Sequence, residues 1–227
     1  LRKREEAQAL VPADPWARYR LARAYVETGL PEEARALSAE GVHLNPEDAD
    51  ARFAQALLLS ILEDRAAALS ALSAIPAKQR SESMRTLEQR LHFSAALARV
   101  RGAQQHGDLA QARAAMTLVR ERAGRDSERL ADTVAVWLEL GDLAAAKKLA
   151  DELRTLAPGS IDAEVADGRV ARAEGRHNLA MQHWQSARAL EVAAHHQGYS
   201  PARNGIESLE ARRNGGLALA PSYYDKS

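Results

Sequence analysis

The chain has 227 residues, of which 46% are hydrophobic but only 4% aromatic, and its 31 basic and 31 acidic side chains cancel. This balance argues against nucleic acid as a partner, because binding to phosphates requires a surplus of basic residues. The absence of cysteine excludes disulfides, thiolate metal sites and a cysteine nucleophile, and no apolar run of eighteen residues could span a membrane.

A period of 34 residues organises positions 13–192. The alanines at positions 34 and 68 have this spacing, and so do those at 112, 146 and 180. The step from 68 to 112 is 44 residues, which indicates an insertion of ten. The period predicts five copies of an antiparallel helix pair, with the alanines where the two helices of a pair cross most closely.

Residues 1–12 fit the end of a second helix, so we expect the chain to begin inside a repeat. It starts with Leu1 rather than methionine and shows no signal-like apolar core, so we expect a piece of a longer protein. Repeats one and two are predicted over 13–76. In the first, Gly29 is expected to end one helix and Pro31 to begin the next.

The insertion is assigned to residues 77–92, and it continues into repeat three without glycine or proline. We predict one helix of about 25 residues starting near Ser81, which would bend the array or create a local docking surface. Repeats three to five follow over 93–192, and Asp142 is expected to cap the second helix of repeat four.

The period stops after residue 192. Residues 196–205 are predicted to form a loop because they contain glycine, proline and asparagine, and 206–213 to form two helical turns. His195 and His196 could help to cap the preceding helix. Residues 215–227 alternate leucine with small residues and carry two tyrosines, which is typical of either an ordinary tail or the approach to a barrel strand.

These repeats resemble the tetratricopeptide repeat, whose signature is W-x₂-L-G-x₂-Y, then A-x₃-F, then P. Copy two lacks the glycine, having Glu63 and Asp64 instead, and copy three has Ala103 where the tyrosine belongs. The resemblance implies an all-α superhelix of antiparallel helix pairs. The residues that match the signature are Leu21, Ala22, Tyr25, Ala34 and Pro46 in copy one, Trp137, Ala146 and Pro158 in copy four, and Gly168, Ala180 and Trp184 in copy five.

No catalytic motif is present, and we predict neither an enzyme nor a cofactor or metal site. His177 and His183 are six residues apart, which places them on different helix faces. Carboxylate pairs such as Glu32 and Glu33 fall in first turns of helices, where the helix dipole explains them. A catalytic domain hidden in the insertion remains a distant alternative.

The resemblance to tetratricopeptide repeats implies a concave surface built from the second, fifth, ninth and twelfth positions of each repeat. For the aromatic residues of this set, packing between repeats and stacking on a ligand remain open. For the arginines, solvation and hydrogen bonding to a peptide carboxylate or carbohydrate hydroxyls remain open. The candidates are Trp16, Tyr19, Arg23, Val26, Phe53, Leu57, Arg101, Gln104, Arg169 and Arg172.

Alanine-rich repeats followed by IESLEARR and YYDKS resemble the family of bacterial cellulose synthase C subunits. That resemblance implies a periplasmic scaffold that docks synthase components or peptidoglycan, could guide a glucan chain, and leads through residues 193–227 into an outer-membrane barrel. The rival hypothesis is a general tetratricopeptide adaptor that grips a peptide or protein partner in the cytoplasm.

Overall fold

The computed structural model describes residues 14–194 and 200–213, with side chains up to residue 210. Within these ranges the chain is helical, with short turns and no β-strand. The chain divides into two compact units, Leu1–Ala95 and Ala96–Ser227, and one helix runs through the division. None of the described helices is both long enough and apolar enough to cross a membrane.

Unit 1 contains two antiparallel helix pairs and the start of a longer helix. Gly29 has a φ of +79° and ends the first helix, and Pro31 begins the second, as predicted. The helices are α1 (Pro15–Glu27), α2 (Pro31–Leu44), α3 (Ala49–Ile61), α4 (Arg65–Ser73) and the first part of α5 (Glu82–Gln105).

Unit 2 continues the same plan. In its first complete pair, Asp142 caps the second helix by accepting a hydrogen bond from the Ala145 amide at 2.9 Å, as predicted. The helices are the end of α5, α6 (Leu109–Ala123), α7 (Ser127–Glu139), α8 (Leu143–Leu156), α9 (Ile161–Ala173), α10 (His177–Ala193) and α11 (Pro201–Arg213).

The alanines of the 34-residue period lie where the sequence predicts. Each is completely buried inside its helix pair, so the backbones can approach closely at these points. Their burial is what the phase of the repeat predicts, and the position of the ten-residue insertion stays a prediction. The five residues are Ala34, Ala68, Ala112, Ala146 and Ala180.

The insertion forms a short 3₁₀ turn at Ala77–Gln79 and then the first part of α5, which has 24 residues. This confirms the long helix predicted from near Ser81. Arg80 connects the turn to the helix: its guanidinium donates to both carboxylate oxygens of Glu88 at 3.1 and 3.2 Å and to the Ile75 carbonyl at 2.9 Å. Whether this segment is a docking surface stays a prediction.

The predicted loop over 196–205 is wrong for its second half. Helix α11 begins at Pro201, five residues before the predicted helical turns. Ser200 caps it by accepting a hydrogen bond from the Arg203 amide at 3.0 Å, and proline suits the first helical position because it has no N–H to satisfy. The expectations for residues 1–12, for His195 and His196 and for the tail from 214 onward lie outside the described residues.

Candidate functional site

A groove of about 1170 Å³ runs along unit 2. Its walls come from the end of α5 and from α7 and α9, the first helices of three successive repeats, and its far end is closed by α10 and Pro201. Each helix contributes side chains at helical spacing, so one face of each helix points into the groove. This is the surface on which stacked helix pairs commonly bind extended partners.

Helix α7 lies in the middle of the wall and supplies an acidic stripe, Glu128, Asp132 and Glu139. The intervals of four and seven residues place these carboxyls on nearly the same side of the helix. The alanines at positions 131 and 135 lie on the same side and are too small to fill the space above them. The middle of the groove therefore presents carboxylates over a small-residue floor.

The surroundings of the stripe disfavour its negative charge. Partial desolvation by the groove walls raises the pKa of Asp132, and nearby Glu128 and Asp162 add to this. Desolvation also raises the pKa of Glu139. Arg101 and Arg169 act in the opposite direction on both carboxyls but do not cancel the effect.

Three arginines line the same groove. Arg101 comes from α5, and Arg169 and Arg172 come from α9. The Arg169 guanidinium donates a hydrogen bond from Nη1 to the Ala131 carbonyl at 2.9 Å, which connects α9 to α7. These are three of the arginines that the sequence places on the concave surface, and the structure brings them into one groove.

The closed end of the groove is built around Trp184, which is 1% exposed. Its ring lies between two glycines: a Cβ at Gly168 would come within 2.3 Å of the indole Nε1, and one at Gly205 within 2.4 Å of Cδ2. The indole N–H has no hydrogen-bond partner among the described residues. Helix α11 packs against this ring through Gly205, Ala202 and Leu209.

Glu191 fixes the start of α11 from the same end. Its carboxylate is 2% exposed and accepts hydrogen bonds from Ser200 Oγ at 2.5 Å and from Arg188 Nη1 at 3.0 Å. A buried carboxylate needs such partners. Glu191 therefore serves the packing of α10 and α11, although it also lines the groove.

The aromatic candidates lie in unit 1. Trp16 makes edge-to-face contacts with Tyr19 and Phe53, at ring-centroid distances of 6.1 and 5.8 Å. Phe53 is 8% exposed and belongs to the core of unit 1, against which Trp16 and Leu57 also pack. For Phe53 this favours the packing interpretation, whereas ligand stacking by half-buried Trp16 and Tyr19 stays a prediction.

The remaining candidates do not line the groove of unit 2. Arg23 and half-buried Val26 belong to α1 in unit 1, and Arg23 pairs with Glu27 one turn later at 3.1 Å. Such an exposed pair contributes little. Gln104 is half-buried near the end of α5 and is absent from the groove lining.

Sequence reasoning missed the residues of repeat four, although the necessary signal was present. Subtracting the period of 34 from Asp162, Val165, Arg169 and Arg172 gives Glu128, Ala131, Ala135 and Leu138, and all eight line the groove. Asp132 and Glu139 each follow one of these positions by a single residue. The repeat spacing could therefore have pointed to the acidic stripe.

The histidines of the described residues form no metal centre. His183 Nδ1 lies 2.8 Å from a carboxylate oxygen of Glu164. Across residues 14–194 and 200–213, no three histidine, aspartate or glutamate side chains are grouped so that they could hold a metal ion. The expected cap by His195 and His196 lies outside these ranges.

Comparisons with known proteins agree with the helix pairs. A model of the tetratricopeptide repeat family matches residues 4–58. Cellulose synthase operon protein C of Salmonella typhimurium is 32% identical over 163 residues, which cover 71% of this chain and 13% of that protein. The chain thus spans only about an eighth of the length of this relative.

Two solved structures of tetratricopeptide repeat proteins show likeness to this chain. One from Parabacteroides merdae is 11% identical, covers 90% of this chain and 88% of its own, and has a TM-score of 0.45. A thermophilic one from Thermus thermophilus is 20% identical, with coverage of 91% and 100% and a TM-score of 0.43.

Proposed function

We propose, from the premise that this chain is a tetratricopeptide repeat protein, that it is a binding scaffold of a cellulose export complex and that unit 2 holds a partner protein in its groove. Tetratricopeptide repeats are protein-interaction modules, so the general role is that of an adaptor. The particular complex, its periplasmic location and the use of this groove are the further content of the proposal.

The observation that carries the proposal is that equivalent positions of successive repeats line the groove. Part of its lining comes from equivalent positions of three successive repeats, such as Leu97, Ala131 and Val165, and its volume of about 1170 Å³ is ample for an extended segment of chain. A packed core would leave no such space between first helices. The arrangement favours a site that successive repeats share over a compact small-molecule pocket.

The side chains of the groove suit binding without turnover. A hydrolytic site would need a nucleophile beside a base, or a pair of carboxyls converging across a cleft. Here the three carboxyls of the acidic stripe follow one side of a single helix, and the two carboxyls on other helices, Asp162 and Glu191, are engaged by hydrogen bonds from neighbouring side chains.

The export complex is supported by similarity to cellulose synthase operon protein C, at 32% identity over most of this chain. The matched part is a small fraction of that protein, so docking of synthase components, contact with peptidoglycan or a glucan chain, and anchoring in the outer membrane through a following barrel are proposed for the whole protein.

The alternative is a general adaptor that binds a peptide or protein partner in the cytoplasm. The repeats alone fit it equally well, because the same concave surface serves many partners. The two hypotheses differ in compartment and in the identity of what lies in the groove.

Site-specific photo-crosslinking in cellulose-producing cells tests the proposal. A photoreactive residue replaces Ala135 in the groove of the full-length protein, and Lys148 on the exposed side of α8 in the control. We expect crosslinks to a subunit of the cellulose synthase complex from position 135 and not from 148. Crosslinks to a cytoplasmic protein, or equal crosslinking from both positions, would contradict it.

A further inference from the structure

We propose that the groove of unit 2 receives an extended, cationic segment of a partner protein, whose lysine or arginine side chains lie against the acidic stripe of α7. This inference rests on the proposed function only in taking the groove to be a protein-binding surface. It adds the chemistry of the partner.

The geometry of the stripe sets the size of the segment. Glu128 and Glu139 are eleven residues apart on α7, which corresponds to about 16 Å at 1.5 Å per residue. An extended chain covers this distance in about five residues. Glu128 and Asp132 are about 6 Å apart along the helix axis, close to the spacing of alternate side chains on one side of an extended peptide.

The balance of charge in the lining favours a cation. The groove contains five carboxyl side chains against three guanidinium groups. Asp162 accepts a hydrogen bond from Ser127, and Glu191 accepts from Ser200 and Arg188, so both are engaged by neighbouring side chains. The stripe is the acidic surface that an incoming segment meets.

The groups around the stripe explain why a positive charge from a partner would be stabilised there. Asp132 is influenced by Arg169 and Arg101 as well as by Glu128 and Asp162, and Glu139 by the same two arginines. Since the pKa of both carboxyls is nevertheless raised by desolvation, the arginines leave their charge incompletely compensated. A lysine or arginine of the partner would complete the compensation.

An anionic segment and a glucan chain match the groove less well than a cationic segment. An anionic segment would face three carboxyls along the middle of the wall. A glucan chain is usually held by exposed aromatic rings, and the one aromatic residue in the described lining, Trp184, is 1% exposed and covered by glycine backbone. The groove therefore offers charge complementarity without a stacking surface.

Peptide binding to the full chain tests this inference. The probe is a fluorophore-labelled peptide of about eight residues that alternates lysine with serine. Counterparts carry glutamate or glutamine in place of lysine. We expect the lysine peptide to bind measurably more tightly than either counterpart in fluorescence anisotropy, with an affinity that falls as salt is added.

Paired substitutions locate the binding. The Glu128→Gln/Asp132→Asn variant should bind the lysine peptide about five-fold or more weakly. The control Glu121→Gln/Glu210→Gln changes the net charge equally at exposed positions outside the groove lining and should bind like the original chain. Equal loss in both variants, no binding of the lysine peptide or tighter binding of the glutamate peptide would overturn the inference. Far-UV circular dichroism checks that both variants keep their helices.

The two proposals fail in different ways. If position 135 crosslinks to the cellulose synthase complex but the lysine peptide does not bind, the cationic partner is wrong and the export scaffold stands. If the lysine peptide binds through the stripe but crosslinking finds a cytoplasmic protein, the chemistry of the groove stands and the export role is wrong.

Discussion

The Arg169 guanidinium on α9 donates a hydrogen bond to the Ala131 carbonyl on α7, 38 residues earlier, at 2.9 Å. This bond connects the walls of the groove at the edge of the acidic stripe. Arg169 thus combines two roles, since it holds two neighbouring repeats together and also attracts the charge of Asp132 and Glu139.

Arg169→Met should therefore change both stability and titration. Loss of a hydrogen bond from a charged donor is expected to lower the free energy of unfolding by about 1.5 kcal/mol. The pKa of Asp132 and Glu139 should rise further, because Arg169 now lowers both. Urea unfolding and NMR titration of the carboxyl groups measure these effects. Arg172→Met is the control, because Arg172 lines the same groove without this hydrogen bond, and an equal effect there would contradict the assignment.

Asp132→Asn should raise stability at neutral pH. The folded chain raises the pKa of Asp132, so the folded state binds a proton more readily than the unfolded state, and stability falls as pH rises through the folded pKa. The variant lacks this charge and should melt slightly higher at pH 7, with an advantage that shrinks as the pH falls below the folded pKa. Thermal unfolding over a pH series measures it. A variant that melts lower than the original chain at pH 7 would disprove the expectation, and Glu121→Gln provides an exposed control.

Much of this fold follows from the sequence because the repeat is periodic. The alanines at a step of 34 residues are all buried, and glycines such as Gly29 and Gly141 mark turns that need a positive φ. The resemblance to tetratricopeptide repeats placed Arg101, Arg169 and Arg172 on one surface, because residues at equivalent positions of stacked units share an environment.

What the sequence did not reveal depended on contacts between distant residues. Proline, asparagine and glycine made residues 201–205 resemble a loop, but Ser200 caps a helix there and Gly205 lets that helix reach the Trp184 ring. The incomplete compensation of Asp132 is equally hidden, because it depends on how far the walls of the groove exclude water.

The two glycines against Trp184 should tolerate no side chain. Gly168→Ala would place a Cβ at 2.3 Å from the indole nitrogen, and Gly205→Ala at 2.4 Å from Cδ2. Each should lower the free energy of unfolding by about 1–3 kcal/mol, as overpacking does. Gly102→Ala is the matched control: this glycine is also helical but has no atom within 4 Å of the added Cβ, so stability should rise by about 0.5–1 kcal/mol. Urea denaturation compares the three, and equal effects would show that helix propensity outweighs contact with the ring.

Glu63 takes the place that glycine occupies in the other repeats, and its φ of +58° shows that the same turn is kept without it. A side chain in this left-handed conformation costs about 1–2 kcal/mol, because its Cβ approaches the backbone oxygen too closely. Glu63→Gly should therefore stabilise unit 1 by about 1 kcal/mol, whereas Gly141→Ala, at the equivalent turn in unit 2 with a φ of +72°, should destabilise by a similar amount. Thermal and urea unfolding of both variants give the comparison. Loss of stability on Glu63→Gly would mean that the glutamate side chain stabilises this turn by more than the backbone strain costs.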